Sequence, residues 1–180
     1  MRIIRNLFPS LLAGWMIAAS MQSAAAASNN LKLHGALVAE PCTLLPGDES
    51  VQLDFGTVID KYLYLNGRTH GKAFQLHLID CDTNLGKTLK MTFSGTESIQ
   101  LPGLLALDGG SQASGVAIGM ETPQGQPLPL NQQSGAYTLT DGSNVINLQA
   151  YVRGEPEAIT HKTIGRGVFT TIATFTLGYE

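Results

Sequence analysis

Residues 167–179 alternate without a break. Phe169, Thr171, Ala173, Phe175, Leu177 and Tyr179 project to one side, and Val168, Thr170, Ile172, Thr174 and Thr176 to the other. A period of two belongs to extended backbone, and β-branched and aromatic side chains favour it further. Gly167 to Tyr179 is therefore expected to be a strand with one face turned toward apolar partners. Shorter runs repeat the pattern: Val51, Leu53 and Phe55 up to Gly56; Phe74, Leu76 and Leu78; Leu89, Met91 and Phe93 up to Ser94-Gly95; Val116, Ile118 and Met120 before Thr122-Pro123-Gln124-Gly125; and Ile146, Leu148, Ala150 and Val152 up to Gly154. Turn residues separate them, which predicts an antiparallel sandwich or barrel. No segment after residue 26 keeps helical apolar spacing over three turns, and the chain's 20 glycines interrupt it throughout. The expectation is one all-β domain.

The N-terminus reads as an export signal. Arg2 and Arg5 precede an apolar run from Leu7 to Ala19, and Ser23-Ala24-Ala25-Ala26-Ala27 supplies the small residues of a cleavage site. The run holds 13 residues, short of the roughly 20 that span a bilayer, so cleavage after Ala26 is expected rather than a retained membrane anchor. The remaining residues, 27–180, make one domain of ordinary size. Without Arg2 and Arg5, nine basic residues face 14 acidic ones. No basic run stands out, which argues against nucleic acid as a partner.

Cys42 and Cys81 are the chain's two cysteines. Export places them in an oxidising compartment, so a disulfide is expected; a metal or redox pair is the alternative, without a C-x-x-C to support it. The loop it closes, about 40 residues, corresponds to about 4 kcal/mol on the chain-entropy account. His34, His70, His77 and His161 show no metal-ligand spacing. His77, between Leu76 and Leu78, is expected to face away from them. Asp80 and Asp82 flank Cys81, a pair expected to be solvated. There is no G-x-S-x-G, P-loop or G-x-G-x-x-G, and Gly165-Arg166-Gly167 reads as a turn into the last strand. No catalytic residue, metal site or cofactor is expected, and the chain does not read as an enzyme.

The ordered elements at both ends resemble the pilins of the chaperone–usher pathway, the type 1-like fimbrial family. At one end Leu31-x-Leu33-x-Gly35-x-Leu37 precedes Pro41-Cys42; then come Leu76-His77-Leu78-Ile79-Asp80-Cys81 and Phe93-Ser94-Gly95; at the other end Gly167 stands fourteenth from the last residue and Tyr179 next to last. The resemblance covers nearly all of the chain after the signal. Leu53-Asp54-Phe55-Gly56 departs from the compact strand ending in Leu-Gly that many relatives show after the first cysteine, which leaves the type of pilus open.

The resemblance implies an incomplete immunoglobulin-like β-sandwich over residues 39–180, completed by donor-strand exchange, with residues 27–38 as an N-terminal donor strand. Leu31, Leu33 and Leu37 would be that strand's plugs and Gly35 its small position, although a bend at Gly35 is also open. Gly167, Phe169, Phe175, Leu177 and Tyr179 would form the groove and chaperone-binding strand, or serve as core residues, or both. The implied partners are a periplasmic pilus chaperone, an outer-membrane usher and neighbouring pilin subunits. The implied role is a structural subunit, major or minor, of an adhesive fimbria, exported through the periplasm to the cell surface. A tip-associated adhesin binding host carbohydrate is the alternative.

Overall fold

The computed structural model describes residues 34, 35, 37 and 39–180. The expected signal, residues 1–26, and the plugs Leu31 and Leu33 lie outside the described residues. Residues 38–180 form one compact unit, to which everything below belongs unless stated.

Two sheets make up the unit. The larger contains β1 (Thr43–Leu44), β2 (Lys72–Cys81), β4 (Leu105–Ala106), β5 (Val116–Glu121) and β7 (Gly142–Gly154), ordered β1-β2-β7-β5-β4. The smaller contains β3 (Thr88–Ser94), β6 (Tyr137–Thr138) and β8 (Thr174–Tyr179), ordered β6-β3-β8. All pairings within the two sheets are antiparallel. Leu76, Leu78, Ile118, Met120, Leu148 and Val152 from the larger sheet meet Leu89, Met91 and Phe93 from β3 in one buried cluster. The period-two runs expected over β2, β3, β5 and β7 are strands.

Cys42 and Cys81 form the expected disulfide, with Cα atoms 4.1 Å apart. It ties the residues before β1 to the end of β2, where the β2–β7 register shifts between Leu78 and Cys81 and Asp80 takes a positive φ of 53°. Asp82 caps the next turn, accepting from the Asn84 backbone N–H at 2.9 Å.

The structure departs from the sequence reading in three places. Val51, Leu53 and Phe55 do not form a strand: residues 51–59 belong to neither sheet, and Gly56 takes a positive φ of 63°. The strand expected over residues 167–179 is β8 only from Thr174 onward. Two helices occur where an all-β chain was expected, α1 (Asp60–Asn66) and α2 (Pro156–His161). At seven and six residues, both are shorter than two turns, too short for an amphipathic period to register. Pro156 begins α2, where its missing N–H is harmless, and α1 buries one side chain, Leu63.

Candidate functional site: an open groove

The first two of these departures face one another. Residues 49–58 and 167–175 form the walls of a groove of about 1180 Å³. Its floor is the buried apolar surface of the sandwich, including Leu76, Leu105, Ile118 and Met120 from the larger sheet and Phe93 from the smaller. The walls run in opposite directions: Phe55 lies 6.2 Å from Phe169 between ring centroids, and Asp60, just past the first wall, bonds Arg166, just before the second. Where they converge, a smaller cavity of about 310 Å³ lies between Ile59, Leu63, Ile164 and Phe169.

The second wall keeps its alternation but lacks cover. Phe169, Thr171, Ala173, Phe175, Leu177 and Tyr179 are each only half-buried, and Val168, Thr170, Ile172, Thr174 and Thr176 are exposed. An inward face of a strand inside a sandwich is ordinarily buried. Among the described residues no facing layer covers it.

Backbone hydrogen bonding gives the same result. Val168 and Thr170 turn their carbonyls to one side, accepting from the N–H groups of Gln112 and Asp108, both at 2.8 Å. Phe169, Thr171 and Ala173 therefore point theirs the other way, into the groove, and among the described residues they make no backbone–backbone bond. Further along, Glu180 and Thr88 exchange both bonds, at 2.9 and 3.0 Å. By the period of two, the even residues of β8 bond to β3, and Phe175, Leu177 and Tyr179 face the sheet's free edge. Residues 49–58 make no backbone–backbone hydrogen bond among the described residues. Two edges without backbone partners among the described residues thus flank an apolar floor, which is the arrangement that accepts an added strand.

Side chains hold the first wall in place. The Asp48 carboxylate accepts from the His77 backbone N–H at 2.6 Å and meets His77 Nδ1 at 2.8 Å. Those bonds, the backbone one foremost, hold its carboxyl below the usual range. In the middle, Lys72 Nζ donates to the Asp54 carbonyl. At the far end Arg166 donates to Asp60 through Nε at 2.9 Å and Nη2 at 2.6 Å, which lowers the Asp60 carboxyl in the same way. Burial pushes the Tyr179 phenol up.

The structure brings Gly167, Phe169 and Phe175 together along one wall of the groove, with Leu177 and Tyr179 continuing β8 beyond it. Gly35 and Leu37 belong to the unit preceding residue 38. Leu37 is fully exposed, and a Cβ at Gly35 would meet nothing within 4 Å. Gly95, where the Phe-Ser-Gly element ends, is a close approach: a Cβ there would collide with Leu105 and meet the Ile172 carbonyl at 3.2 Å. His77 Nδ1 contacts Asp48, and no group of three metal-ligating side chains occurs among the described residues. No described helix is long and apolar enough to cross a membrane.

Sequence reasoning missed Asp48, Asp60 and Arg166. Asp48 and Asp60 act through their carboxylates, whereas Asp54 is held through its backbone carbonyl, so the aspartates at 48, 54 and 60 share no role that a sequence pattern could mark. Their basic partners stand far away in sequence, and no local rule pairs them.

Comparison with known proteins agrees with this geometry. The sequence model of the family described as "Fimbrial protein" matches residues 31–180. The chain is 36% identical over 171 residues to an uncharacterized fimbrial-like protein of Escherichia coli, YfcP, covering 94% of this chain and 93% of that one. It is 30% identical over 166 residues to the major MR/P fimbria protein of Proteus mirabilis, covering 92% and 91%. Among solved structures, a subunit of a chaperone–usher pilus, studied for rod uncoiling, superposes with a TM-score of 0.68 at 22% identity, over 96% of this chain and 100% of that one. The fold is the incomplete immunoglobulin-like sandwich expected from the sequence.

Proposed function

The chain belongs to the fimbrial protein family and is a structural subunit of a surface fimbria, and on that premise we propose that its groove receives the N-terminal strand of a neighbouring subunit. The observation that carries the proposal is the pair of edges, residues 49–58 and the odd residues 169–179, that lack backbone partners among the described residues beside an uncovered apolar floor. An inserted strand would gain main-chain hydrogen bonds from both edges and bury alternate side chains against the floor.

In this reading residues 1–26 are removed on export, residues 27–38 are the strand given to the next subunit, and residues 39–180 are the receiving domain. Leu31, Leu33 and Leu37 are the plugs, and Gly35 is the position that must stay small. The full exposure of Leu37 supports donation, since a large apolar side chain is costly to leave in water. Before assembly the same groove needs a temporary occupant, because a free apolar edge aggregates. A periplasmic chaperone is assigned that role and an outer-membrane usher the exchange step. No observation favours the alternative of a carbohydrate-binding tip adhesin.

The test uses two peptides covering residues 27–38, wild type and Gly35→Leu, added to the exported protein. The wild-type peptide is expected to bind. The Leu variant should bind about five- to a hundred-fold more weakly, since overpacking commonly costs about 1–3 kcal/mol. Equal binding of the two peptides would remove the donor-strand assignment.

A further inference from the structure

Resting on that reading of the groove, we propose that Asp60 and Arg166, with Phe55 and Phe169 stacked inside them, form a clasp that ties the groove walls together at one end and holds an inserted strand. The first wall needs such a device. It makes no backbone–backbone hydrogen bond among the described residues, so nothing in the sheets fixes its distance from the second wall. Side chains anchor it instead: Asp48 to His77 at its start, the Asp54 carbonyl to Lys72 in its middle, Asp60 to Arg166 beyond its end.

These anchors differ in what they join. His77 and Lys72 both stand on β2 and fasten the wall to the larger sheet. Arg166 alone among them reaches the wall from the chain segment that leads into the opposite wall, so Asp60–Arg166 spans the groove. The aromatic contact lies just inside it, and tilted aromatic pairs at this separation attract. At the other end of the first wall the Asp48 carboxylate bonds to His77 of β2, so that end is tied to the sheet, with no bond to the second wall among the described residues. A strand lying between the walls is therefore retained by the closed end, and Asp60 and Arg166 act as positioning residues, setting the wall spacing without touching the floor. The Arg166 side chain is 79% exposed and the Asp60 side chain 15%, so the contact is open to screening by salt.

The experiment measures dissociation of a labelled peptide of residues 27–38 from exported wild-type protein and from Asp60→Asn, Arg166→Gln and Arg166→Lys, at low and high salt. Asn at 60 retains a side-chain oxygen for the Lys61 N–H, and Arg166 is mostly exposed, so one variant of the pair folds even if the other does not. Asp60→Asn and Arg166→Gln are expected to release the peptide severalfold faster at low salt, with unfolding midpoints near wild type. Arg166→Lys should stay within about twofold of wild type. High salt should speed release from wild type and leave Asp60→Asn unchanged. Equal release from all four proteins, or a change in association alone, overturns the clasp and leaves the groove reading standing. No binding of the peptide to wild-type protein overturns the groove reading itself.

Discussion

β7 and the segment 167–179 carry the same sequence pattern and have opposite surroundings. In β7 the inward residues Ile146, Leu148, Ala150 and Val152 are all buried, because β2 and β5 pair on either side and the second sheet covers them. In 167–179 every inward residue is half-buried, and among the described residues one edge is free and no layer covers the face. Alternation records that a face is meant to be covered. It does not record whether the cover comes from the same chain. A subunit that polymerises by strand addition uses that gap, keeping one region complete and leaving the other for a neighbour.

The comparison can be broken most directly by truncating one inward residue in each region. Leu148→Ala in the closed region should destabilise the isolated subunit by about 2–5 kcal/mol, the usual range for a fully buried leucine. Bound peptide should not change that difference. Phe175→Ala should cost less than Leu148→Ala in the isolated subunit, because its ring is only half-covered, and its cost should grow when the peptide is bound. Urea unfolding of both variants, with and without peptide, measures this. Equal costs for Phe175→Ala in both states would mean the groove is not where the peptide binds.

A second contrast lies in the charges. On the outer face of the larger sheet Arg68 donates to both oxygens of the nearly buried Glu121, at 2.9 and 2.6 Å, and its guanidinium lies 3.6 Å over the Tyr151 ring. Gly119 leaves room for that ring, since any Cβ there would collide with it. Arg68→Ala would leave the Glu121 carboxylate buried and unpaired. Breaking a fully buried pair costs about 3–5 kcal/mol; with Arg68 39% exposed, water can reach the site and a loss of about 1–2 kcal/mol is expected. Peptide binding should be unaffected. A shift in peptide affinity larger than the shift in stability would tie this face to the groove.

Much of this arrangement was legible in the sequence, and the illegible part has a common cause. β2, β3, β5 and β7 were readable because each buries its apolar face within its own domain, β5 burying both faces, so the alternating apolar set is complete. The disulfide followed from two cysteines in an exported chain. Val51, Leu53 and Phe55 alternate like a strand but lack a strand partner among the described residues, so pattern alone could not tell a strand from a groove wall. The same holds for residues 167–173. Asp60–Arg166 and Asp48–His77 were hidden because contacts more than 28 residues apart leave no local trace.

The smallest expected effect concerns acid, and it again separates the two regions. Asp48 anchors the open wall, and the His77 N–H and ring hold its carboxyl below the usual carboxylate range. Asp141 anchors the turn before β7, and the Thr83 hydroxyl and N–H lower it likewise, bonding it at 2.7 and 2.8 Å. A carboxyl whose folded value is lowered contributes stability that is fully present above its unfolded value, about pH 4, and is lost as the pH falls through the folded value. Both anchors should therefore weaken from about pH 4 downward, modestly, because Asp141 is exposed and the Asp48 side chain, 19% exposed, still reaches water. Asp48→Asn and Asp141→Asn should each lower the urea midpoint slightly at pH 6 and converge on wild type as the pH falls through the lowered folded values. The regions part in the second readout: Asp48→Asn should also speed peptide release at pH 6, whereas Asp141→Asn should not, since its turn belongs to the closed sheet. If Asp141→Asn speeds release as much as Asp48→Asn does, the wall and the sheet are one mechanical unit, and the division between a complete and an open region does not hold.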